Sequence, residues 1–573
     1  MYIETVPNRN SRPAILLREG WRDGKKVCKR TIANLTDWPA RKIELLRRVL
    51  KDESLVSPNE VFSIERSRPH GHVEAILTMV KHIGLDRLIS AKRTRERDLV
   101  LAMMVERLIC PCSKLATTRL LHTTTLAEEL ALGDVDEDEL YAAMDWLLAR
   151  QLRIEKKLAA QHLVEGAQVL YDVSSSYYEG HTCPLVTFGH SRDGKRGKPI
   201  VVYGVMTDRL GRPVAVEVYP GNTGDPSTVS DQVSKLKQRF GLERVVLVGD
   251  RGMLTQTQIE TLKTHPGIGW ISALRTEKIR QLVEEQMIQP SLFDEQNLAE
   301  IHSESFPDER LIACFNPLLA EQRRHKREAL LTATELALEK IQGQVQRRTK
   351  TPLNAAQIGE RLGKVINRHK VGKHFQTTIA DGQFNYQRRQ EAIEQESALD
   401  GLYIVRTSES EGALSAEDAV RNYKNLAQVE RVFRTLKGVD LEIRPIYHRA
   451  ENRVRAHIFM CLLTYYLEWH LRHALAPLLF HDEELSIDRQ RRDPVAPATP
   501  SESAKRKKTQ RHTDDGLLIQ SFTTLIAELG TRCRHRCRLK ADPDAPSITQ
   551  DTEPTPLQAR ALELIRLFPV TGN

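Results

Sequence analysis

The stretch Tyr171-Asp172-Val173-Ser174-Ser175-Ser176 decides the fold, because it places a carboxylate within an apolar run. A carboxylate in a buried strand loses hydration free energy unless a cation or hydrogen-bond donors compensate. A second aspartate, Asp250, follows directly after the apolar run Val245-Val246-Leu247-Val248-Gly249. Ligand sites in open α/β sheets lie at the carboxyl ends of strands. The sequence therefore predicts two aspartates at the ends of two strands that could be neighbours.

Short apolar runs extend the pattern on both sides of these aspartates and predict a mixed α/β sheet. Helical segments at about 228–240 and 255–264 separate the later runs, and Gly211 with Pro213 marks a turn. The predicted order is three strands, a helix, a strand, a helix and a strand. The runs are Val169–Val173, Ile200–Met206, Val214–Val218, Val245–Val248 and Ile271–Leu274.

Two aspartates on neighbouring strands would repel each other without a cation between them. Oxygen ligands with no His or Cys nearby suit Mg²⁺ or Mn²⁺ better than zinc. Simpler interpretations also fit the residues: Asp250 as a helix N-cap and Asp172 as a turn residue. The sequence alone leaves these alternatives open.

A later helix provides a third carboxylate, Glu430. The helix is predicted to begin at Ser415, because Ser415-Ala416-Glu417-Asp418 has capping-box character. Tyr423, Glu430 and Lys437 recur every seven residues, which keeps them along one helix face. The simpler alternative is a surface ion pair from Glu430 to Arg434, worth only about 0.3–0.5 kcal/mol.

Length and composition set the broad class of the protein. The chain has 573 residues, which predicts about three to five domains. Hydrophobic residues make up 40% and charged residues 28%, which excludes a fibrous or wholly disordered protein. The net charge of +9 is compatible with a polyanionic partner. Eight sparse cysteines, no signal peptide and no long apolar run predict a cytoplasmic protein without a membrane span.

The expected architecture is a discontinuous α/β domain with several additions. A β unit is predicted first, because Asp23-Gly24 separates two short apolar runs in the manner of a hairpin. The predicted segments are a small β unit at 1–60, a helical region at 70–165, the α/β domain at 166–276 and 401–475, an insertion at 277–400, a disordered basic linker at 488–515, and a helical segment at 516–573.

The three carboxylates and their surroundings resemble the bacterial insertion-sequence DDE transposases. The resemblance rests on Tyr171-Asp172-Val173-Ser174, on Val246 to Gly252, and on the helix from Tyr423 to Lys437. It is closest to the group with a long insertion before the catalytic Glu. One position departs from that group: relatives often carry an arginine three residues after the tyrosine, where this chain has Leu426.

The resemblance implies a ribonuclease-H-like catalytic domain that holds two Mg²⁺ ions on Asp172, Asp250 and Glu430, with Mn²⁺ able to substitute. It implies cleavage of double-stranded DNA at terminal inverted repeats and strand transfer into target DNA. Joining two transposon ends implies a homodimer in the DNA complex, associated with the nucleoid when bound to DNA. The expected DNA contacts are Tyr423, Lys437, Arg434, Arg251, Arg192, Lys195 and Arg196.

Two other functions are compatible with the same residues. The first is another ribonuclease-H-like metal nuclease, such as a junction resolvase, although the long insertion argues against it. The second is an inactive, transposase-derived DNA-binding protein. A helical region at 70–165 with Arg93, Arg95 and Arg97 is expected to bind DNA ends, although a solvated surface explains those arginines equally well.

Overall fold

The computed structural model describes residues 1–9, 11–53, 61–180, 182–294, 296–540, 544 and 546–569. The chain divides into two compact units. The smaller unit consists of Met1–Arg68 and Cys533–Glu553, and the larger one of Pro69–Arg532 and Pro554–Asn573. Among the described residues, no helix has the length and apolarity needed to span a bilayer.

The smaller unit starts with a three-stranded antiparallel sheet. Asp23 pairs with Lys26 across a two-residue turn in which Gly24 has a φ of 58°, a conformation that favours glycine. The predicted Asp-Gly hairpin is therefore present. The first elements are β1 (Tyr2–Val6), β2 (Ala14–Asp23), β3 (Lys26–Asn34), α1 (Ala40–Val49) and β4 (Phe62–Pro69).

Helices occupy residues 71–162 of the larger unit. Local capping explains where several of them begin: Thr94 accepts a hydrogen bond from the Arg97 amide, and Asp136 forms a capping box with Glu139. The helices are α2 (Gly71–His82), α3 (Leu85–Ile89), α4 (Arg95–Ile109), α5 (Lys114–Leu120), α6 (Leu126–Glu129), α7 (Glu137–Leu148) and α8 (Gln151–His162).

The central sheet begins with three antiparallel strands, followed by two strands that run parallel to the first. Their spatial order is third, second, first, fourth and fifth, which confirms the predicted ribonuclease-H-like mixed sheet. The elements are β5 (Ala167–Tyr177), β6 (Ile200–Thr207), β7 (Pro213–Pro220), α9 (Val229–Ser234), β8 (Val245–Val248), α10 (Gln256–Lys263), β9 (Ile268–Ala273) and α11 (Thr276–Glu284).

The segment 277–400, predicted as an insertion, divides into two parts. Its first part adds β10 and β11 to the central sheet, whose full order is β10-β11-β14-β9-β8-β5-β6-β7. Its second part packs around a long helix with a separate buried core. The elements are β10 (Leu298–Ile301), β11 (Arg310–Phe315), α12 (Pro317–Arg347), α13 (Ala355–Ile366), β12 (Phe375–Ala380), β13 (Gln383–Arg388), α14 (Gln390–Ser397) and β14 (Leu402–Thr407).

The helix predicted from Ser415 to Lys437 is interrupted at Asn425. Ser415 caps the first piece by accepting a hydrogen bond from the Asp418 amide, so the predicted start is present. The second piece packs on β5 and β6. The helices are α15 (Ala416–Lys424), α16 (Leu426–Lys437) and α17 (Glu451–Ala474), the last buried along most of its length.

The C-terminal region differs from its prediction in two ways. First, the segment 488–515, predicted to be a disordered linker, is folded. The Asp482 carboxylate accepts hydrogen bonds from the Ser501 amide at 2.9 Å and from its hydroxyl at 2.6 Å. Composition alone does not reveal such contacts. Second, the segment 516–573 is not wholly helical, because two of its strands form a sheet in the order β16-β15-β4. The elements are α18 (Leu485–Arg491), α19 (Glu502–Gln510), α20 (Phe522–Gly530), β15 (Cys533–Leu539), β16 (Ile548–Asp551) and α21 (Pro556–Leu567).

Candidate active site

The sheet places Asp172 and Asp250 beside each other. β5 and β8 pair in parallel as far as Leu170 and Val248, and each aspartate lies two residues beyond this last pair. Asp172 was predicted at the end of its strand, and this prediction is wrong. β5 continues to Tyr177 through its antiparallel pairing with β6. Asp172 lies instead where the neighbouring strand β8 has ended.

The Asp172 carboxyl group lacks a full compensating charge. Burial, and to a lesser extent the negative charge of Asp250, raises its pKa to about 7. The Val173 amide, which donates to Asp172 Oδ1 at 2.7 Å, and the charge of Arg192 act in the opposite direction without cancelling the rise. An additional cation beside Asp172 would therefore favour its ionised form.

Asp250 is exposed and has one carboxylate oxygen available. Its Oδ1 accepts hydrogen bonds from the amides of Gly252 at 3.0 Å and Met253 at 2.7 Å. These bonds stabilise the turn, but the next helix has Thr255 as its N-cap, so the helix-cap alternative does not hold. Among the described residues, Asp250 Oδ2 has no hydrogen-bond or ion-pair partner.

Glu430 is exposed on α16. The alternative ion pair with Arg434 is not formed between these two described residues. Burial raises the pKa of Tyr423 to about 12, and the charges of Asp250 and Glu430 contribute to the rise, so Tyr423 lies within electrostatic range of both. However, no three His, Cys, Asp or Glu side chains in the described part of the chain lie close enough together to hold a metal ion.

The aspartate pair fits a hard divalent cation. Its donors are carboxylate oxygens, one of which has no partner among the described residues, and the raised pKa of Asp172 reflects an uncompensated negative charge. Glu430, like Asp250, lies within electrostatic range of Tyr423. It does not form one cluster with the two aspartates. The structure therefore brings two of the three predicted ligands together and leaves the third apart from them.

Comparisons with known families identify the chain's relatives. The family described as "Transposase DDE domain" matches residues 184–467, which include Asp250 and Glu430 and begin after Asp172. The family described as "IS1634 family transposase, N-terminal domain" matches residues 3–59. The chain belongs to the insertion-sequence DDE transposases.

Other comparisons add little to this assignment. No curated protein matches the transposase. Among solved structures, it is similar to one described as a cryo-EM structure of piggyBac transposase synaptic complex with hairpin DNA. That similarity has 9% sequence identity and a TM-score of 0.33, and it covers 80% of this chain and 76% of the other.

The predicted DNA-contacting residues of the transposase fall into two groups. Lys437 and Arg192 form ion pairs inside the protein, with Asp193 at 3.0 Å and with Asp225, respectively. The remaining basic residues are exposed, and Lys195 lies 5.8 Å from the centre of the Tyr177 ring. Leu426 is buried. Four of the predicted DNA contacts are exposed and have no ion-pair partner among the described residues: Lys195, Arg196, Arg251 and Arg434.

The buried acid Asp193 was not predicted from the sequence. Its side chain is only 1% exposed, pairs with Lys437 and Arg444, and accepts a hydrogen bond from the Tyr177 amide at 3.0 Å. Lys437 Nζ also donates to Ser174 Oγ at 2.7 Å. The serine run in a buried strand was an available signal, but Asp193 itself lies in a Gly-containing basic loop and resembles a turn residue.

Proposed function

We propose that this transposase cleaves DNA at the ends of its mobile element and joins the freed ends to target DNA. Asp172, Asp250 and Glu430 would hold two Mg²⁺ ions, or Mn²⁺ in their place. The observation that carries the proposal is the pair of adjacent aspartates with too little positive charge around it. Family membership supports the same activity.

Each residue of the site would have its own role in catalysis. Bound Mg²⁺ would supply Lewis acidity at the scissile phosphate for an in-line phosphoryl transfer. Asp172 would hold the cation as its carboxylate, because only the deprotonated form is a ligand. The exposed Glu430 side chain would be the third ligand. Tyr423, close to both charges, packs against the DNA backbone.

The exposed cations form the DNA-binding border of the site. Arg434 follows Glu430 by one helical turn, and Arg251 follows Asp250 directly. With Lys195 and Arg196, they place positive charge around a negative centre, as a nuclease for a polyanion requires. Lys437 and Arg192 contribute positive charge at closer range while remaining held by their acidic partners. Two copies of the chain, one on each element end, would form the working complex.

The test is a cleavage assay on a labelled duplex that carries the terminal inverted repeat of the element. We expect nicking at the repeat and joining of labelled ends to a target plasmid in Mg²⁺, and neither in EDTA. Nicking without end-joining would indicate a nuclease of another type. Repeat binding without nicking would indicate an inactive DNA-binding relative and would overturn the proposal.

A further inference from the structure

A cleft near the C-terminus lies outside the aspartate site. Its volume is about 1030 Å³, and its floor includes two exposed apolar side chains, Phe480 at 53% and Leu518 at 46% exposure. Ser521 and Thr524, at the N-terminal end of α20, line another part of it. We call it the C-terminal cleft; part of its lining belongs to the segment 488–515, whose composition predicts a disordered basic linker.

The cleft is lined by the cations Lys507, Lys508 and Arg511 and by one acid, Asp482, whose carboxylate accepts hydrogen bonds from Ser501. Helix α19 and the residue that follows it carry five cations, of which three form ion pairs. Lys508 and Arg511 have no acidic partner among the described residues, and both line the cleft. The three ion pairs are Lys505 with Glu502 at 2.6 Å, Arg506 with Asp514 at 4.0 Å, and Lys507 with Glu483.

One residue of the C-terminal cleft lies within electrostatic range of the helix that carries Glu430. His481 lines the cleft. Its pKa is lowered by burial and by the positive charges of Arg431, on α16, and of Lys507. His481 therefore lies within electrostatic range of Arg431, the residue that follows Glu430 in the sequence.

We propose that the C-terminal cleft binds an unpaired DNA strand, with phosphates on Lys508 and Arg511 and a base against Phe480. Charge complementarity selects a polyanion. The apolar floor selects an unpaired strand, because a duplex keeps its base faces stacked inside and presents mainly sugar and phosphate. Aromatic rings beside cations are the usual construction of single-strand sites. The proposal rests on the DNA-processing function and adds a second contact to it.

The experiment measures binding of a fluorescein-labelled oligothymidylate of about 20 nucleotides to the full chain by anisotropy in EDTA, where no cleavage occurs. The test variant is Lys508→Gln with Arg511→Gln. The matched control is Lys505→Gln with Arg506→Gln, which removes the same charge from the same helix region. Phe480→Leu removes the aromatic ring and keeps apolar volume. Thermal unfolding verifies that each variant is folded.

We expect the test variant to bind about tenfold more weakly. The slope of log affinity against log salt concentration should become shallower by about 1.4, the value for two phosphates of a single strand. The control should stay within about twofold, and Phe480→Leu should weaken binding several-fold. Equal loss in the test and control variants, or no loss in either, would overturn the proposal. So would an equal loss for a duplex of the same length.

The outcome is separable from that of the proposed function. A protein that cleaves repeat DNA in Mg²⁺ but shows no selective loss in the test variant would refute the cleft alone. A protein that never cleaves DNA but shows the selective loss would refute the transposition proposal and leave the cleft as a single-strand site.

Discussion

Asp172 and Asp193 occupy neighbouring parts of the site but have opposite electrostatic surroundings. Asp193 is buried with two cations, Lys437 and Arg444, against it. Asp172 has a second carboxylate, Asp250, beside it, and the charge of Arg192 does not cancel the effect of burial on its pKa. The protein therefore neutralises one aspartate with its own side chains and leaves the other short of positive charge.

The difference separates an acid that stabilises the fold from one that is suited to bind a cation. A buried ion pair fixes the positions of the elements that carry it, here α16 and the loop before β6. A carboxylate pair without enough positive charge destabilises the fold unless a ligand binds, which is common at functional sites. Substitutions at the two aspartates should therefore have different consequences.

The largest expected effect is the loss of cleavage in Asp172→Asn, by about a thousandfold or more, because a metal ligand is removed. Duplex binding should stay within a few-fold, and thermal stability should not fall, because the amide carries no charge to bury. Asp250→Asn and Glu430→Gln should behave alike in a nicking assay. Normal cleavage by any one variant would remove that residue from the site.

Asp193→Asn should instead destabilise the fold, by about 3 kcal/mol, because Lys437 and Arg444 lose the charge that compensates them. The measurement is thermal unfolding beside Asp172→Asn. Asp193→Glu keeps the charge and should recover part of the stability. An Asp193→Asn protein as stable as wild type would show that Asp193 does not stabilise the fold and would contradict its difference from Asp172.

Glu106 on α4 is a third buried acid for the comparison, and it does not belong to the aspartate pair. It is 3% exposed, and burial raises its pKa to about 7. The folded state then binds more protons than the unfolded state between about pH 4.5 and 7, so stability falls as pH rises through that window. Glu106→Gln should be more stable than wild type at about pH 8, by about 2–3 kcal/mol, and similar at about pH 4.5.

The check is the melting temperature of both proteins across that range, with cleavage measured in parallel. Parallel pH profiles would show that Glu106 ionises freely in the folded protein. Loss of cleavage in a stable Glu106→Gln protein would show that raised pKa values do not separate structural acids from functional ones here.

Arg434→Gln should have the smallest effect, because it removes one exposed cation that has no ion-pair partner among the described residues. Duplex affinity should fall a few-fold, and the salt slope should decrease by about 0.9, the value for one phosphate. Lys195→Gln serves as a second exposed position for comparison. An unchanged slope in titrations at several salt concentrations would place Arg434 outside the DNA contact.

The five-stranded core could be predicted because each strand is a short apolar run of its own. β10 and β11 were missed. β11 contains the apolar run Leu311–Phe315, but it lies in a charge-rich segment, and its pairing with β14 joins residues far apart in the chain. Composition also mispredicted the basic linker, because Lys507 reaches the carbonyl of Ala476, a contact between distant residues.

The closeness of Asp172 and Asp250 could be predicted from their strands, because neighbouring parallel strands end at the same edge of a sheet. The partner of Lys437 did not follow, because Asp193 lies in a loop that only the folded sheet brings to α16. Tyr423 lies within electrostatic range of Glu430, but the break at Asn425 interrupts the continuous helix on which the heptad prediction depends. The spacing also carries no information about how far Glu430 stands from the aspartates.

The overhang of β5 past β8 creates an internal sheet edge. Seven residues, Tyr171–Tyr177, or about 20 Å of strand, continue beyond the last pair with β8. Such an edge invites a passing segment to add by backbone pairing. Here the amides of Val173 and Tyr177 are already bonded to aspartate side chains. The Tyr177 carbonyl accepts a hydrogen bond from the Ile446 amide at 3.2 Å, so a protein segment already pairs with the far end of this edge. With two of its amides on aspartates as well, little of the edge is left for a strand of another molecule to add to.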